Sequence, residues 1–341
     1  MVCVPIFNMK TRRVIGFLVI VVVIVVFATL WLRKPPEYTG SLEKVRLGVY
    51  LGDLSSLIYI AKNKGFFKDR GLDVSITEQE TGSIAVNNLI ANSVDIATAT
   101  EFVFISHVLK GDNLKVLGSI SIANNVEIIA RKDHGIIRPG DLKGKKIGVP
   151  YRTANEFFLR TFLDSNNLKY KDIQSVDLKP SEMVSAISKG AIDAAIPFPE
   201  QALRIKKELG PQAVIWDSQS GQDYYFLLIT KEEFIKARPS TVEHLLRALL
   251  AAEQFVQNQE KEAQNIMRGL LNHSTESMRS AWSRVDLRLR LDQDLLALME
   301  NETKWFMVNR LTDRKDMPNY FDFIYLDGLK KISPSSVSII H

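Results

Sequence analysis

The chain has 341 residues, a formal charge of +5 and a single cysteine, Cys3. This length exceeds one average domain and predicts two modest lobes after the amino-terminal segment. One cysteine excludes a disulfide framework within the chain, and the five histidines have no metal-ligand spacing, so we expect no metal and no other cofactor. The basic excess lies in residues 1–34, and the neutral remainder argues against nucleic acid as a partner.

An uncharged apolar run, VIGFLVIVVVIVVFATLWL, occupies residues 14–32. A helix needs roughly 20 such residues to cross a bilayer. We therefore predict a cytoplasmic amino terminus at residues 1–13, a single-pass transmembrane anchor or uncleaved signal at residues 14–32, and a linker at residues 33–44. Basic residues ahead of the run favour a globular part in the periplasm or extracytoplasmic space of a bacterial cell. A signal peptide cleaved after Val26-Phe27-Ala28 is the alternative.

Strand and helix patterns alternate through the first half of the remaining chain. The predicted strands are residues 45–51, 71–79, a run from 94, and 115–122, with helices at 55–67 and 82–91. This alternation predicts parallel strands joined by right-handed crossovers.

The same alternation restarts after Pro139. The predicted strands are residues 146–149, 175–178 and 191–196, with helices at 154–165 and 181–189. Residues 239–309 form a helix-dominated stretch, whose acidic and basic side chains are three or four positions apart and indicate solvated faces. The predicted fold class is therefore α/β, with two lobes of similar architecture.

Candidate ligand-binding residues follow the ends of the predicted strands, where ligands of open parallel sheets bind. In the first half they are Leu51, Gly52, Asp53, Ser55, Gly82, Ser83, Thr98, Thr100 and Glu101. In the second half they are Tyr151, Arg152, Thr153, Ala154, Phe198 and Glu200. The recurrence of such loops after five strands favours a ligand site over isolated helix caps.

Arg152 is the strongest single candidate in this set. Its guanidinium lies beside the amino terminus of a predicted helix, and this combination suits an oxyanion. Carboxylates at Asp53 and Glu101 leave room for a ligand that also carries an amine. The alternatives are an exposed Arg152 paired with Glu156, and hydroxyls and carboxylates that only cap helices.

Four segments together resemble a known family: RLGVYLGDLSSLIYIAKNKGFFKDRGLDVSI, TGSIAVNNLIANSVDIATA, PGDLKGKKIGVPYRTANEFFLRTFLDSNNLKYKDIQSVDL and SEMVSAISKGAIDAAIPFPEQA. They are similar to the substrate-binding proteins of ABC importers for nitrate, sulfonates, taurine and thiamine precursors. The resemblance covers residues 45–235. It implies a two-lobed type II periplasmic-binding fold, with lobe I at residues 45–125 and 215–341, lobe II at 126–214, and crossings near Val126–Ala130 and Tyr224–Ile229.

The resemblance implies a function as well as a fold. A monomer would capture a small anionic or zwitterionic organic solute, such as a sulfonate, taurine, nitrate or a thiamine-precursor pyrimidine, by lobe closure. Its partners would be ABC permease and ATPase subunits, and the amino-terminal helix would hold it at the membrane. The alternatives are a membrane-anchored solute sensor or adaptor of the same fold and, against the expectation of a non-enzyme, a relative of the thiamine-pathway pyrimidine synthases.

Overall fold

A computed structural model describes residues 38–340 of the chain. The predicted amino terminus at residues 1–13, the predicted transmembrane segment at residues 14–32 and the first part of the linker lie outside the described residues. Within residues 38–340, none of the helices combines the length and the hydrophobicity that a membrane crossing requires.

The first sheet has six strands in the order β11-β4-β10-β3-β1-β2. They are β1 (Glu43–Tyr50), β2 (Leu72–Gln79), β3 (Ile96–Thr100), β4 (Leu114–Ala123), β10 (Tyr224–Lys231) and β11 (Val285–Asp286). Strand β1 pairs in parallel with β2 and β3, whereas β10 is antiparallel to β3 and β4. We call the part of the molecule built on this sheet lobe I.

The second sheet has five strands in the order β7-β6-β8-β5-β9. They are β5 (Glu127–Arg131), β6 (Lys146–Val149), β7 (Gln174–Asp177), β8 (Ala194–Ala195) and β9 (Ala213–Asp217). Strand β6 is parallel to β7 and β8, and β5 is antiparallel to β8 and β9. We call this part lobe II. Strand β9 continues past residue 214, where the sequence predicts the end of lobe II.

Helices cover both sheets and bury their apolar faces. Those of lobe I that precede the first crossing are α1 (Ser56–Asn63), α2 (Gly82–Ile90) and α3 (Glu101–Leu109), and those among the lobe II strands are α4 (Ala154–Ser165), α5 (Pro180–Ser188) and α6 (Pro199–Leu209). The helices after the second crossing are α7 (Glu232–Ala237), α8 (Pro239–Asn258), α9 (Glu260–Leu271), α10 (Thr275–Trp282), α11 (Gln293–Val308) and α12 (Leu326–Ile332). Val45, Leu47 and Val49 of β1 are each at most 1% exposed, since both faces of a parallel sheet are covered.

Two short connections join the lobes, at residues 124–126 and 218–223. The predicted crossings fall mostly in the flanking strands, because residues 127–130 and 224–229 are already hydrogen-bonded into β5 and β10, and only Val126 lies in a connection. The Gln219 side chain ties the two connections together. Its Oε1 accepts the Val126 N–H at 2.7 Å, and its Nε2 donates to the Gln222 carbonyl at 2.6 Å. Gln219 is 3% exposed.

Gln219→Ala is expected to lower the free energy of unfolding by about 1–3 kcal/mol, because the buried Val126 N–H loses its acceptor. Urea denaturation of the variant and the parent measures the difference. The matched control is Gln212→Ala, because Gln212 is exposed. Equal unfolding free energies for the two variants would contradict a structural role for the Gln219 amide.

Candidate ligand-binding site

Loops of the two lobes meet at the ends of their parallel strands. The Ser83 hydroxyl of lobe I donates to the Arg152 carbonyl of lobe II at 2.7 Å. The Glu200 carboxylate of lobe II accepts the Asp53 N–H at 3.2 Å on one oxygen and the Tyr50 hydroxyl on the other. The described residues therefore form a closed arrangement in which both lobes contribute to one cleft.

A small cavity of about 30 Å³ lies inside this cleft, and we call it the buried cavity because most of the residues that line it are buried. It is lined by Tyr50, Leu54, Gly82, Thr100, Val103, Thr153, Ala154, Asn155, Phe198, Pro199, Tyr224 and Phe226. The Tyr50 ring meets the Phe198 ring edge to face at 5.5 Å, across the lobe boundary. Pockets for organic ligands usually measure roughly 300 Å³ or more, so the lobes must part for such a molecule to enter.

Five of the predicted residues line the buried cavity: Gly82, Thr100, Thr153, Ala154 and Phe198. Gly82 has a steric reason to be glycine, because a Cβ there would lie 2.8 Å from the Cα of Ala99. Helix α2 can therefore begin directly against β3. Thr100 also caps α3, with its Oγ1 accepting the Val103 N–H at 3.5 Å.

Arg152 does not line the buried cavity. It is exposed, has a left-handed backbone with φ +60°, and lines two outer cavities of about 600 and 340 Å³. Its backbone N–H donates to Glu156 at 3.0 Å, whereas the Glu156 carboxylate forms its ion pair with Arg160 at 2.7 Å. An anion in the buried cavity would thus be separated from the Arg152 guanidinium, which the sequence predicts as its binding partner.

Other predicted residues support the loops without lining the buried cavity. The Ser55 hydroxyl donates to the Tyr50 carbonyl at 2.7 Å, and the Thr98 hydroxyl accepts the Tyr50 N–H at 3.1 Å. The Tyr151 hydroxyl is 2.7 Å from the Ser175 hydroxyl, and Tyr151 lines the outer cavities. Leu51 packs against the core.

Gly52 and Glu200 face each other across the lobe boundary. A Cβ at position 52 would collide with Oε1 of Glu200 and with the Tyr50 ring. Its φ of 177° is ordinary extended backbone, so the requirement for glycine is one of space and not of conformation. The close approach of Glu200 to the loop after β1 therefore depends on the missing side chain.

Three buried or partly buried carboxyl groups follow strands whose ends meet at the cleft, although none of them lines the cavity. Asp53 is 2% exposed, and burial followed by the charge of Glu200 raises its pKa to about 8. Burial also raises the pKa of Glu200. Glu101 is fully buried, and its Oε2 accepts the Tyr225 N–H at 2.8 Å. Burial raises the pKa of Glu101 to about 8, because this hydrogen bond offsets only part of the lost hydration.

Sequence reasoning missed four of the residues that line the cavity: Tyr50, Val103, Tyr224 and Phe226. Leu54, Asn155 and Pro199 lie inside the candidate loops that follow the predicted strands. Tyr224 and Phe226 alternate along β10, which returns from lobe II and pairs with β3, so nothing in their local sequence connects them with the other loops. Tyr50 directly adjoins Leu51, and widening that candidate loop by one position would have found it.

The fold and the cleft define a class of protein: two α/β lobes, joined by two crossings, enclose a cavity between their strand ends. The alkanesulfonate-binding protein of Xanthomonas axonopodis pv. citri has a similar structure, with a TM-score of 0.72 over 84% of this chain and 99% of that one, at 15% identity. The nitrate-binding protein of Synechocystis PCC 6803 matches with a TM-score of 0.55 over 69% of each chain, at 16% identity. This is the predicted two-lobed periplasmic-binding fold.

A family model described as NMT1/THI5 like matches residues 55–263, and the chain belongs to this family. A protein of Brucella abortus named only as a binding protein is 30% identical over 216 residues, which are 62% of this chain. The taurine-binding periplasmic protein of Escherichia coli is 22% identical over 210 residues, or 59% of this chain and 64% of that protein. The chain spans 66% of the length of the Brucella relative.

Glu302 of α11 is a further buried acid that sequence reasoning missed. It is 2% exposed, and neither of its carboxylate oxygens has a hydrogen-bond partner among the described residues. Burial, followed by the charge of Glu101, raises its pKa well above the ordinary value. Glu302 and Glu101 thus form a second acidic pair, inside lobe I.

Glu302→Gln is expected to flatten the pH dependence of stability. A raised pKa in the folded state means that Glu302 contributes most stability at acid pH, and that this contribution is lost as the pH rises above the unfolded-state value. Replacing the Glu302 carboxyl by an amide therefore lessens the decline of the unfolding free energy with rising pH by up to about 1.4 kcal/mol per pH unit. Unfolding free energies from denaturant titrations across mildly acidic to alkaline pH measure the slope.

The control is Glu300→Gln, an exposed position on the same helix. A slope that changes equally in both variants would contradict the assignment of the pH dependence to burial of Glu302.

Proposed function

We propose that this chain is the extracytoplasmic solute-binding component of an ABC importer, and that it captures a small organic solute when its lobes close around the cleft. The observation that carries the proposal is the Glu200 contact. One side chain of lobe II accepts hydrogen bonds from both Tyr50 and Asp53 of lobe I. A solute that contacts both lobes would stabilise this closed form relative to an open one.

The relatives support a role in solute binding. Similar proteins are named for binding taurine, alkanesulfonates and nitrate, and another, from Haemophilus influenzae, is named for thiamine biosynthesis. The desulfurization enzyme DSZB also has a similar structure, with a TM-score of 0.63 at 15% identity, so this fold is compatible with catalysis in another chain. We propose solute capture without catalysis for this chain.

The proposal also covers attachment to the membrane and the partner subunits. Residues 14–32 would anchor a monomer in the bacterial cell membrane, with both lobes in the periplasm or extracytoplasmic space. The closed lobes would deliver the solute to an ABC permease, and ATPase subunits would supply the energy. The predicted solute classes, anionic or zwitterionic, both remain compatible with an aromatic cavity bordered by hydroxyl groups.

A thermal-shift screen tests solute capture. A sulfonate, taurine, nitrate and a pyrimidine are each added to the purified full chain. A ligand that binds only the folded form raises the unfolding temperature, by an amount that grows with its concentration relative to Kd. Small-angle scattering of the same samples is expected to show a smaller radius of gyration for those solutes that stabilise. If no solute of any charge raises the temperature, the proposed function is contradicted.

Gly52→Ala tests the closing movement itself. The new Cβ displaces Glu200 from the loop after β1, and the loss of a hydrogen bond to a charged group is worth about 1.5–3 kcal/mol. We therefore expect affinity for any stabilising solute to fall by about tenfold or more in titration calorimetry.

Gly140→Ala is the matched control, because nothing lies within 4 Å of a Cβ at that position. Unchanged affinity in Gly52→Ala would show that the bound form does not require the Glu200 contact.

A further inference from the structure

Two larger cavities lie outside the buried cavity, where loops of the two lobes adjoin. They measure about 600 and 340 Å³, and neither shares a lining residue with the buried cavity. The two outer cavities have four lining residues in common: Ser106 of α3, Lys110 directly after α3, and Tyr151 and Arg152 in the loop after β6. We call these four residues the junction. Both lobes contribute to it, because α3 belongs to lobe I and the loop after β6 to lobe II.

The junction carries two positive charges and no acid. Lys110 and Arg152 are exposed, and neither side chain forms an ion pair or a hydrogen bond within residues 38–340. Glu156 accepts the backbone N–H of Arg152 at 3.0 Å, but its charge is paired with Arg160 at 2.7 Å. Closing the lobes therefore brings two like charges to the same cavities. An anion held between them would offset their repulsion.

The backbone of Arg152 is held from both lobes. Its carbonyl accepts the Ser83 hydroxyl of lobe I at 2.7 Å, and its N–H donates to Glu156 of lobe II. Its φ of +60° is uncommon for a residue that has a side chain. Such a conformation persists where the surrounding contacts fix it, and it is frequent at ligand sites. Arg152 is thus fixed at the junction, although its guanidinium has no partner in the described part of the chain.

Aromatic side chains line the 600 Å³ cavity next to the junction. The Phe102 ring of α3 stacks on the Phe306 ring of α11 with centroids 4.6 Å apart. Trp305 of α11 meets Phe157 of lobe II edge to face at 4.9 Å. Phe102 and Phe306 are 4% and 6% exposed, whereas Trp305 is half-buried. The half-buried indole offers a surface on which a flat organic ring can stack.

The other charged groups of the 600 Å³ cavity are mostly paired. Arg314 donates from Nε and Nη2 to Asp316 at 3.1 and 3.0 Å. Asp313 is exposed and also lines this cavity, but it does not line the 340 Å³ cavity. Lys110 and Arg152 therefore exceed the single remaining acid, and the 600 Å³ cavity keeps an excess of positive charge.

We propose that the junction and the 600 Å³ cavity form a second ligand site, which takes an organic anion with a flat aromatic ring. The carboxylate, sulfonate or phosphate group of the ligand binds between Lys110 and Arg152, and its ring stacks against Trp305. Cavities of this volume accommodate organic ligands.

A ligand at this site would also act on closure. Because the two cations belong to different lobes, an anion that contacts both stabilises the closed arrangement relative to an open one. The ligand is thus an effector of lobe closure. This role goes beyond the capture of a solute in the buried cavity.

Titration calorimetry with three probes tests the chemistry of the second site. 2-Naphthalenesulfonate carries both the ring and the anion, 2-naphthylmethylammonium carries the ring with the opposite charge, and methanesulfonate carries the anion without the ring. We expect 2-naphthalenesulfonate to bind the full chain at least about tenfold more tightly than either of the others. Higher ionic strength should weaken this binding, because exposed charges are screened.

Lys110→Gln and Arg152→Gln test which residues hold the anion. Each variant is expected to reduce the affinity for 2-naphthalenesulfonate by about three- to tenfold, because one charged contact is lost at a partly open site. The matched controls are Lys261→Gln and Arg204→Gln, since both residues are exposed and without an ion pair in the described residues. The controls should bind the probe as the parent does.

Small-angle scattering measures the effect on closure. 2-Naphthalenesulfonate alone is expected to reduce the radius of gyration of the parent, and to leave that of the double variant Lys110→Gln/Arg152→Gln unchanged. A solute found by the thermal-shift panel should bind more tightly in the presence of the probe, since both ligands favour the same closed form.

The outcomes separate this inference from the proposed function. Equal affinity of 2-naphthalenesulfonate for the parent and both junction variants, or no binding of the probe at all, would overturn the second site and leave solute capture standing. Competition between the probe and a solute of the panel would show that the two share one site, and would also overturn it. Solute capture is contradicted separately, by a panel in which nothing stabilises the protein, because Lys110 and Arg152 do not line the buried cavity.

Discussion

The contact of Glu200 with Tyr50 and Asp53 is the interaction on which the closed arrangement depends. It places a carboxylate from the first turn of α6 against the end of β1, in a loop where Gly52 leaves room for it. Each sheet separately presents only the loops at its strand ends. Once the lobes meet, the same loops enclose a cavity, and the hydration of their polar groups must be replaced by contacts within the protein or with a ligand.

Electrostatics also act on the boundary between the lobes. Closing the cleft raises the pKa of Asp53 to about 8, because the carboxyl loses water and approaches Glu200. The names of the relatives point to sulfonates, taurine and nitrate, but fold similarity at 15% identity carries the architecture and not the charge of the ligand.

The two connections between the lobes are linked to the wall of the cavity. Gln219 joins the two connections, and Tyr224, just after the second connection, lines the cavity and hydrogen-bonds to Asn125 in the first. A movement of lobe II about residues 124–126 and 218–223 therefore changes the cavity wall as well as the separation of the loops. Contacts to a solute and the conformation of the two connections are therefore coupled through β10.

The sequence by itself determined the alternation of strands and helices, the two lobes and the family, because periodicity and turn residues are local properties of the chain. It also identified Asp53, Gly82, Thr153, Phe198 and Glu200 as candidates, since strand ends can be read from the pattern. Only the tertiary structure decided that Arg152 lies at the outer cavities, that Tyr224 and Phe226 join the wall, and that Asp53 meets Glu200. Those outcomes depend on how two separate sheets dock, and docking brings together residues about 150 positions apart, whose proximity no local pattern records.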